Sequence, residues 1–274
     1  MMLRDILVHV DHTAEANVRV GVAARLATAH GARLTGIYVR PALTLPRAAQ
    51  NFAGPGLQAE LERASDELAK KARIAFHKHG GTGDGDLRWL EDTGNPAERI
   101  AEQARYYDLA VVGNTETDNT NGRAGDRAIL SSGVPVMVVP PRLTRPAVGN
   151  RIIVAWNGSR EAVRAVHSAL PLLRNAGATE IFMVMAQSQA ATSPPAGSQL
   201  LDFLARHGVT ASITVLPFDE THGVSGQVLA RLDAFDADLV VMGGFGRSWL
   251  REAMIGSTTG ILLTRAPVPL FITH

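Results

Sequence analysis

The 274-residue sequence has no cysteine, which excludes a disulfide framework, a thiolate metal cluster and a thiol nucleophile. It has almost no net charge either. With 27 basic residues against 26 acidic ones, no general attraction to nucleic acid or to an anionic membrane is expected, and any anion site must be local. Aromatic residues make up only 5%, so burial falls mainly to Ala, Val, Leu and Ile. No apolar run approaches the roughly 20 residues of a membrane helix, and the run after MMLRD is too short for a signal-peptide core. The expectation is a soluble, cytoplasmic protein.

What is present is a globular composition, 46% hydrophobic and 19% charged, in a chain long enough for two domains. Laying the halves over each other reveals an internal repeat. ILVHVDHT at 6–13 matches IIVAWNGS at 152–159, DLAVVG at 108–113 matches DLVVMG at 238–243, and VPVMVV at 134–139 matches VPLFIT at 268–273. The order is conserved while the shift runs 146, 130 and 134, so the halves differ by insertions between shared elements. Three prolines between 140 and 146 break regular structure and place a boundary near 145, with domains at 1–141 and 150–274.

Each half alternates short apolar runs with segments of helical period, the pattern of a doubly wound five-stranded parallel sheet in an α/β domain. Strands are predicted near 5–10, 33–39, 86–91, 108–112 and 135–139, then near 151–156, 179–185, 210–216, 238–243 and 268–272. Helices are predicted near 14–29, 57–79, 95–105 and 125–132, then near 159–175, 197–207, 223–235 and 257–265. Residues 40–56 read as a long loop, a plain surface loop or a lid.

Ligands of open α/β sheets sit beyond the carboxyl ends of the strands, where strand order reverses. There the second half reads Gly243-Gly-Phe245-Gly246-Arg247, and with nine residues between, Gly246 is followed by Gly256-Ser257-Thr258. Gly243 and Gly246 let the backbone approach a ligand, and Ser257 is a natural N-cap for the last helix. Unpaired N–H groups and the helix dipole then converge on a spot suited to phosphate. A lone Gly-x-x-Gly after a strand only turns the chain; the added Gly-Ser helix start has no such explanation.

This Gly-x2-Gly-x9-Gly-Ser pattern resembles the nucleotide-phosphate motif of ATP-binding universal stress proteins, and the likeness spans both halves. IIVAWNGS and the closing APVPLFI (266–272) are similar to that family as well. The resemblance implies a Rossmann-like fold of the adenine nucleotide alpha hydrolase type. It also implies that Ala155, Trp156, Asn157 and Met185 hold the adenosine, Met185 being fixed only to within one residue. Gly243, Phe245, Gly246, Arg247, Gly256, Ser257 and Thr258 would form the phosphate side. Asn157 stands where the family usually has Asp, and Trp156 replaces a small or aliphatic residue. Since the family commonly dimerises through its last strand, an intrachain pseudo-dimer through 134–139 and 268–273 is expected, with a further homodimer open.

The first half keeps the acidic residue, Asp11, but reads Gly113-Asn-Thr-Glu116 at the loop and has no Gly-Ser at Gly125-Asp126. Glu116 and Asp126 would repel phosphate, so this half is expected to be structural. Arg247 and Arg251 are either phosphate contacts or plain solvated charges. His77 and His79 point to different helix faces and form no metal pair. No Walker A motif or Gly-x-Ser-x-Gly elbow occurs, and Gly158-Ser159 reads as a helix N-cap.

The leading reading is a stress-response protein binding ATP, or ADP or AMP, in its C-terminal domain, with Mg²⁺ riding on the phosphates. Nothing supplies an evident general base, so any hydrolysis would be slow and no catalytic residue is assigned. The alternatives are a nucleotide-free scaffold and, further off, an adenylating enzyme.

Overall fold

The computed structural model describes residues 2–41, 55–81, 86–114, 124–186, 197–245 and 258–274. Most of the 40–56 loop, Glu116, Gly246, Arg247, Arg251, Gly256 and Ser257 lie outside the described residues. The chain divides into a compact unit of residues 3–132 and another built from residues 133–274.

The first unit runs β1 (Asp5–His9), α1 (Ala14–His30), β2 (Arg33–Arg40), α2 (Pro55–His79), β3 (Leu87–Thr93), α3 (Pro96–Ala104), β4 (Leu109–Gly113) and α4 (Ala124–Ser131). Its strands are parallel in the order β3-β2-β1-β4. Every residue of β4 is buried, as a strand covered on both faces requires. Helix α1 meets the sheet through Ala16, Val20, Ala23 and Ala27, whose short side chains allow close approach where aromatics are scarce. Gly36 on β2 makes room for α2: a Cβ there would stand 2.7 Å from the Phe76 ring, itself fully buried.

The second unit contains β5 (Val136–Val139), β6 (Arg151–Ala155), α5 (Arg160–Asn175), β7 (Ala178–Met185), α6 (Ser198–Arg206), β8 (Ala211–Pro217), α7 (Gly223–Ala234), β9 (Leu239–Gly243), α8 (Thr258–Arg265) and β10 (Leu270–Thr273). The order is β5-β10-β9-β6-β7-β8, all parallel except that β5 runs antiparallel to β10. The two closing strands expected to meet do so, with Leu270, Phe271 and Ile272 opposite Val138, Met137 and Val136. Strand order reverses between β6 and β9, which opens a crevice at their carboxyl ends.

Two of the boundaries that differ from the sequence expectation do so for reasons of proline chemistry. The last strand starts at Leu270 rather than near 268, because Pro269 has no N–H for the ladder; its carbonyl instead accepts from Val240 N at 3.1 Å. The second helix starts at Pro55 rather than near 57, since proline is suited to a first helical turn.

The repeated Asp at the fourth strand has a structural role. In the second unit Asp238 accepts from the backbone N–H groups of Gly149 (2.8 Å), Asn150 (3.0 Å) and Arg151 (3.1 Å), and its own N–H donates to Arg151 O at 2.9 Å. In the first unit Asp108 accepts from Arg4 N (2.7 Å) and Asp5 N (3.0 Å), and its N–H donates to Asp5 O at 2.9 Å. In each repeat a carboxylate therefore clasps the start of the opening strand.

Candidate functional site

A cavity of about 620 Å³ lies at the crevice of the second unit. Ala155 ends β6 there, and Trp156 continues it, donating its N–H to Phe182 O at 2.9 Å. The chain then turns sharply. Asn157 Oδ1 accepts from Ser159 N at 3.1 Å, Gly158 takes φ 71°, which favours glycine, and Ser159 Oγ caps α5 by accepting from Ala162 N at 3.2 Å. Ala155, Trp156 and Asn157 all line the cavity.

The floor is β7 and β9. Phe182 and Val184 face the cavity from β7, whereas Met185 is not among the lining residues. Consecutive strand residues point to opposite faces, so a displacement of one position exchanges cavity for far side. Met185 instead accepts Phe218 N at its carbonyl, 2.8 Å away.

Gly243 closes β9 against α5: a Cβ on it would lie 2.5 Å from Ala162 N and 2.7 Å from Glu161 Cβ. Phe245 follows with φ 51°, a left-handed conformation rare for an aromatic residue and held here at the cavity wall. On the far side stand Thr258 and Thr259 at the start of α8, with Val224 and Val228 of α7. The structure thus brings together Ala155, Trp156, Asn157, Gly243, Phe245 and Thr258. Gly246, Arg247, Gly256 and Ser257 lie outside the described residues.

Sequence reasoning missed Arg160 and Glu161, which also line the cavity. Glu161 is only 2% exposed and is ion-paired with Arg160, whose side chain is 63% exposed. Burial opposes ionisation of this carboxyl, but hydrogen bonds from Arg160 and from its own backbone N–H outweigh it and hold the pKa below the ordinary value. The signal was the acidic first-turn residue after the N-cap, which reads as a helix-dipole partner rather than as a cavity wall. Among the described lining residues Arg160 is the cation, and its exposed side chain can meet an anionic ligand.

The corresponding place in the first unit is built differently. Asp11 Oδ1 accepts from Thr13 N at 2.8 Å, but Oδ2 is ion-paired with Arg19, which is 1% exposed. Arg19 Nε also donates to His9 O at 2.5 Å. Among the described residues there is no group of three or more His, Asp or Glu able to hold a metal, and no helix long and apolar enough to cross a membrane.

The model of the universal stress protein family matches residues 2–140 and again 149–274. No curated protein matches the sequence. Among solved structures, a universal stress protein from Archaeoglobus fulgidus DSM 4304 is similar at TM-score 0.76 and 16% identity, over 99% of this chain and 96% of that one. A putative universal stress protein from Pseudomonas aeruginosa UCBPP-PA14 is similar at TM-score 0.58 and 16% identity, over 99% and 93%. A universal stress protein from Archaeoglobus fulgidus solved in complex with dAMP matches half-length, at TM-score 0.33 and 19% identity, over 50% of this chain and 98% of that one. Matched twice along its length, the chain belongs to the universal stress protein family.

Proposed function

We propose that the second unit binds an adenine nucleotide, ATP or its di- or monophosphate, and that the protein acts in a stress response as a regulatory or protective factor in the cytoplasm. The observation that carries this reading is the composition of the cavity wall. One side offers an aromatic and aliphatic surface for a base, from Trp156, Phe182, Val184 and Val224. Another side offers Asn157 and Arg160, and a third begins the Gly-x2-Gly-x9-Gly-Ser segment that leads from Gly243 to the start of α8. The chemistry of this set fits a nucleotide: flat apolar contact, a carboxamide for sugar or base edges, and glycine-rich backbone with a helix start for phosphates.

In this reading Gly243, Gly246, Arg247, Gly256, Ser257 and Thr258 hold the phosphates. Magnesium would accompany them through phosphate oxygens and water. The bound nucleotide signals occupancy rather than undergoing rapid chemistry, because Glu161, the carboxylate among the described lining residues, is committed to Arg160.

Mass spectrometry of small molecules released on denaturing the purified protein, followed by titration with ATP, ADP and AMP, tests the proposal. An adenine nucleotide in the released fraction, or saturable binding, is expected. A protein that releases none and ignores all three would be a nucleotide-free scaffold.

A further inference from the structure

The repeat allows the two units to be compared position by position. At the shift of 146, His9, Asp11 and Arg19 correspond to Ala155, Asn157 and Ala165, and at the shift of 130 Gly113 corresponds to Gly243. In the second unit Ala155, Asn157 and Gly243 line the cavity, and Ala165 is buried at 1% exposure with nothing reaching out from it. In the first unit the counterparts of all three lining positions are engaged by one side chain. Arg19 donates Nε–H to the His9 carbonyl at 2.5 Å and pairs through Nη2 with Asp11 Oδ2. It also packs Nη1 so closely on Gly113 that a Cβ there would overlap it. The guanidinium is 1% exposed, and every hydrogen bond it makes here ends on the strand-end region where the second unit is open.

We propose that Arg19 is an internal ligand: its planar guanidinium occupies the first unit's counterpart of the cavity, closing that unit to external ligands whatever its loop sequence. The inference rests on reading the second-unit cavity as a ligand site. It assigns the first unit a latent site for a flat, N–H-donating cation. The chain fills that site itself. A guanidinium meets a carboxylate and a carbonyl along its edge as a fixed fork of donors, which a lysine in its place would not reproduce.

The test uses the full-length chain. Arg19→Ala vacates the site and leaves the Asp11 carboxylate without its cation, so the melting temperature should fall by on the order of 10 °C. Added methylguanidinium chloride at millimolar concentration should restore several degrees in this variant, saturably, with no such effect on wild type. A second variant, Arg19→Ala with Asp11→Asn, copies Ala165 and Asn157 and leaves no unpaired charge. It should take two equivalents of adenosine per chain where wild type takes one, adenosine being used because it needs no phosphate loop.

A folded Arg19→Ala protein that responds to methylguanidinium no more than wild type overturns the proposal, since the space has then collapsed around an ordinary ion pair. If Arg19→Ala does not fold, a folded double variant that still takes one adenosine overturns it equally. If wild type takes no adenosine while methylguanidinium rescues Arg19→Ala, the internal ligand stands and the nucleotide reading of the second unit falls.

Discussion

Gly243 lies so close to Glu161 that it has no room for a side chain: a Cβ on Gly243 would lie 2.7 Å from Glu161 Cβ and 2.6 Å from the Glu161 carbonyl carbon. The obstacle is backbone as well as side chain, so it cannot be relieved by a rotamer change. Gly243→Ala should therefore cost about 1–3 kcal/mol of stability by overpacking. Because the displaced segment is the cavity wall, nucleotide affinity should drop at least about tenfold. Urea unfolding and calorimetric titration of the same sample check both.

Gly246 gives a contrasting expectation. Argued from the loop pattern alone, Gly246→Val puts a branched side chain where phosphates are proposed to lie. Binding should be lost while stability changes by less than about 1 kcal/mol, as for a loop position away from the core. ATP affinity equal to wild type would show that these glycines only turn the chain.

The first unit should weaken in mild acid. Burial and the Arg19 cation push the His9 imidazole down to about 3, with Asp11 opposing, so His9 is neutral when folded. The unfolded chain takes up a proton near the ordinary value of 6.5. A depressed folded value means that this stability is complete above pH 6.5 and is lost as pH falls from there toward 3. The slope approaches about 1.4 kcal/mol per pH unit. Burial alone would raise the Asp11 value, but Arg19 with His9 and Thr13 holds it well below the ordinary carboxylate range, which adds to the loss in stronger acid. Urea midpoints between pH 7 and 4.5, compared with His9→Gln, should show the slope in wild type and flatten it in the variant.

Asp238→Ala removes the acceptor for three backbone N–H groups at a residue only 2% exposed. A loss of about 2–4 kcal/mol is expected. Asp108→Ala should cost less, since Asp108 accepts from two N–H groups and is less deeply buried. Thermal unfolding of the two variants side by side gives the order.

Phe271 is fully buried opposite Met137 in the antiparallel pair of β5 and β10. Phe271→Ala should destabilise by about 3–5 kcal/mol through the cavity it leaves. A measured loss below about 1 kcal/mol would mean that this strand pair contributes little to holding the second unit together.

Most of the fold was legible because strands buried on both faces are written as unbroken apolar runs, as in LAVVG and LVVMG. The glycine at the exit of β9 and the Asn-Gly-Ser turn were legible for a similar reason: their backbone demands are local. What could not be read were choices made by the third dimension. Nothing local tells whether Val184 or Met185 faces the cavity, since both are apolar and only the pleat decides. Arg19 looks like an ordinary polar residue of an amphipathic helix, because its burial depends on Asp11 and on a carbonyl brought there by the strand. The first unit was expected to be structural because of Glu116 and Asp126, whereas the contacts of Arg19 on α1 with His9 and Asp11 had no signal in the sequence.

The carboxylate clasps also set an order of events during synthesis. Asp108 closes on Arg4 and Asp5 across 104 and 103 residues, and Asp238 closes on residues 149–151 across 89 to 87. The opening strand of each repeat sits between its second and fourth strands, so it has one neighbour early and must wait for the other. Between the end of β2 at Arg40 and the start of β4 at Leu109, at about 5–20 residues per second, a ribosome leaves β1 half-paired for on the order of 3–14 s. The opening strand of each repeat is thus among the last of that repeat to be secured, and a nascent chain halted before residue 108 exposes a bare apolar strand edge to whatever chaperone or neighbouring chain is near.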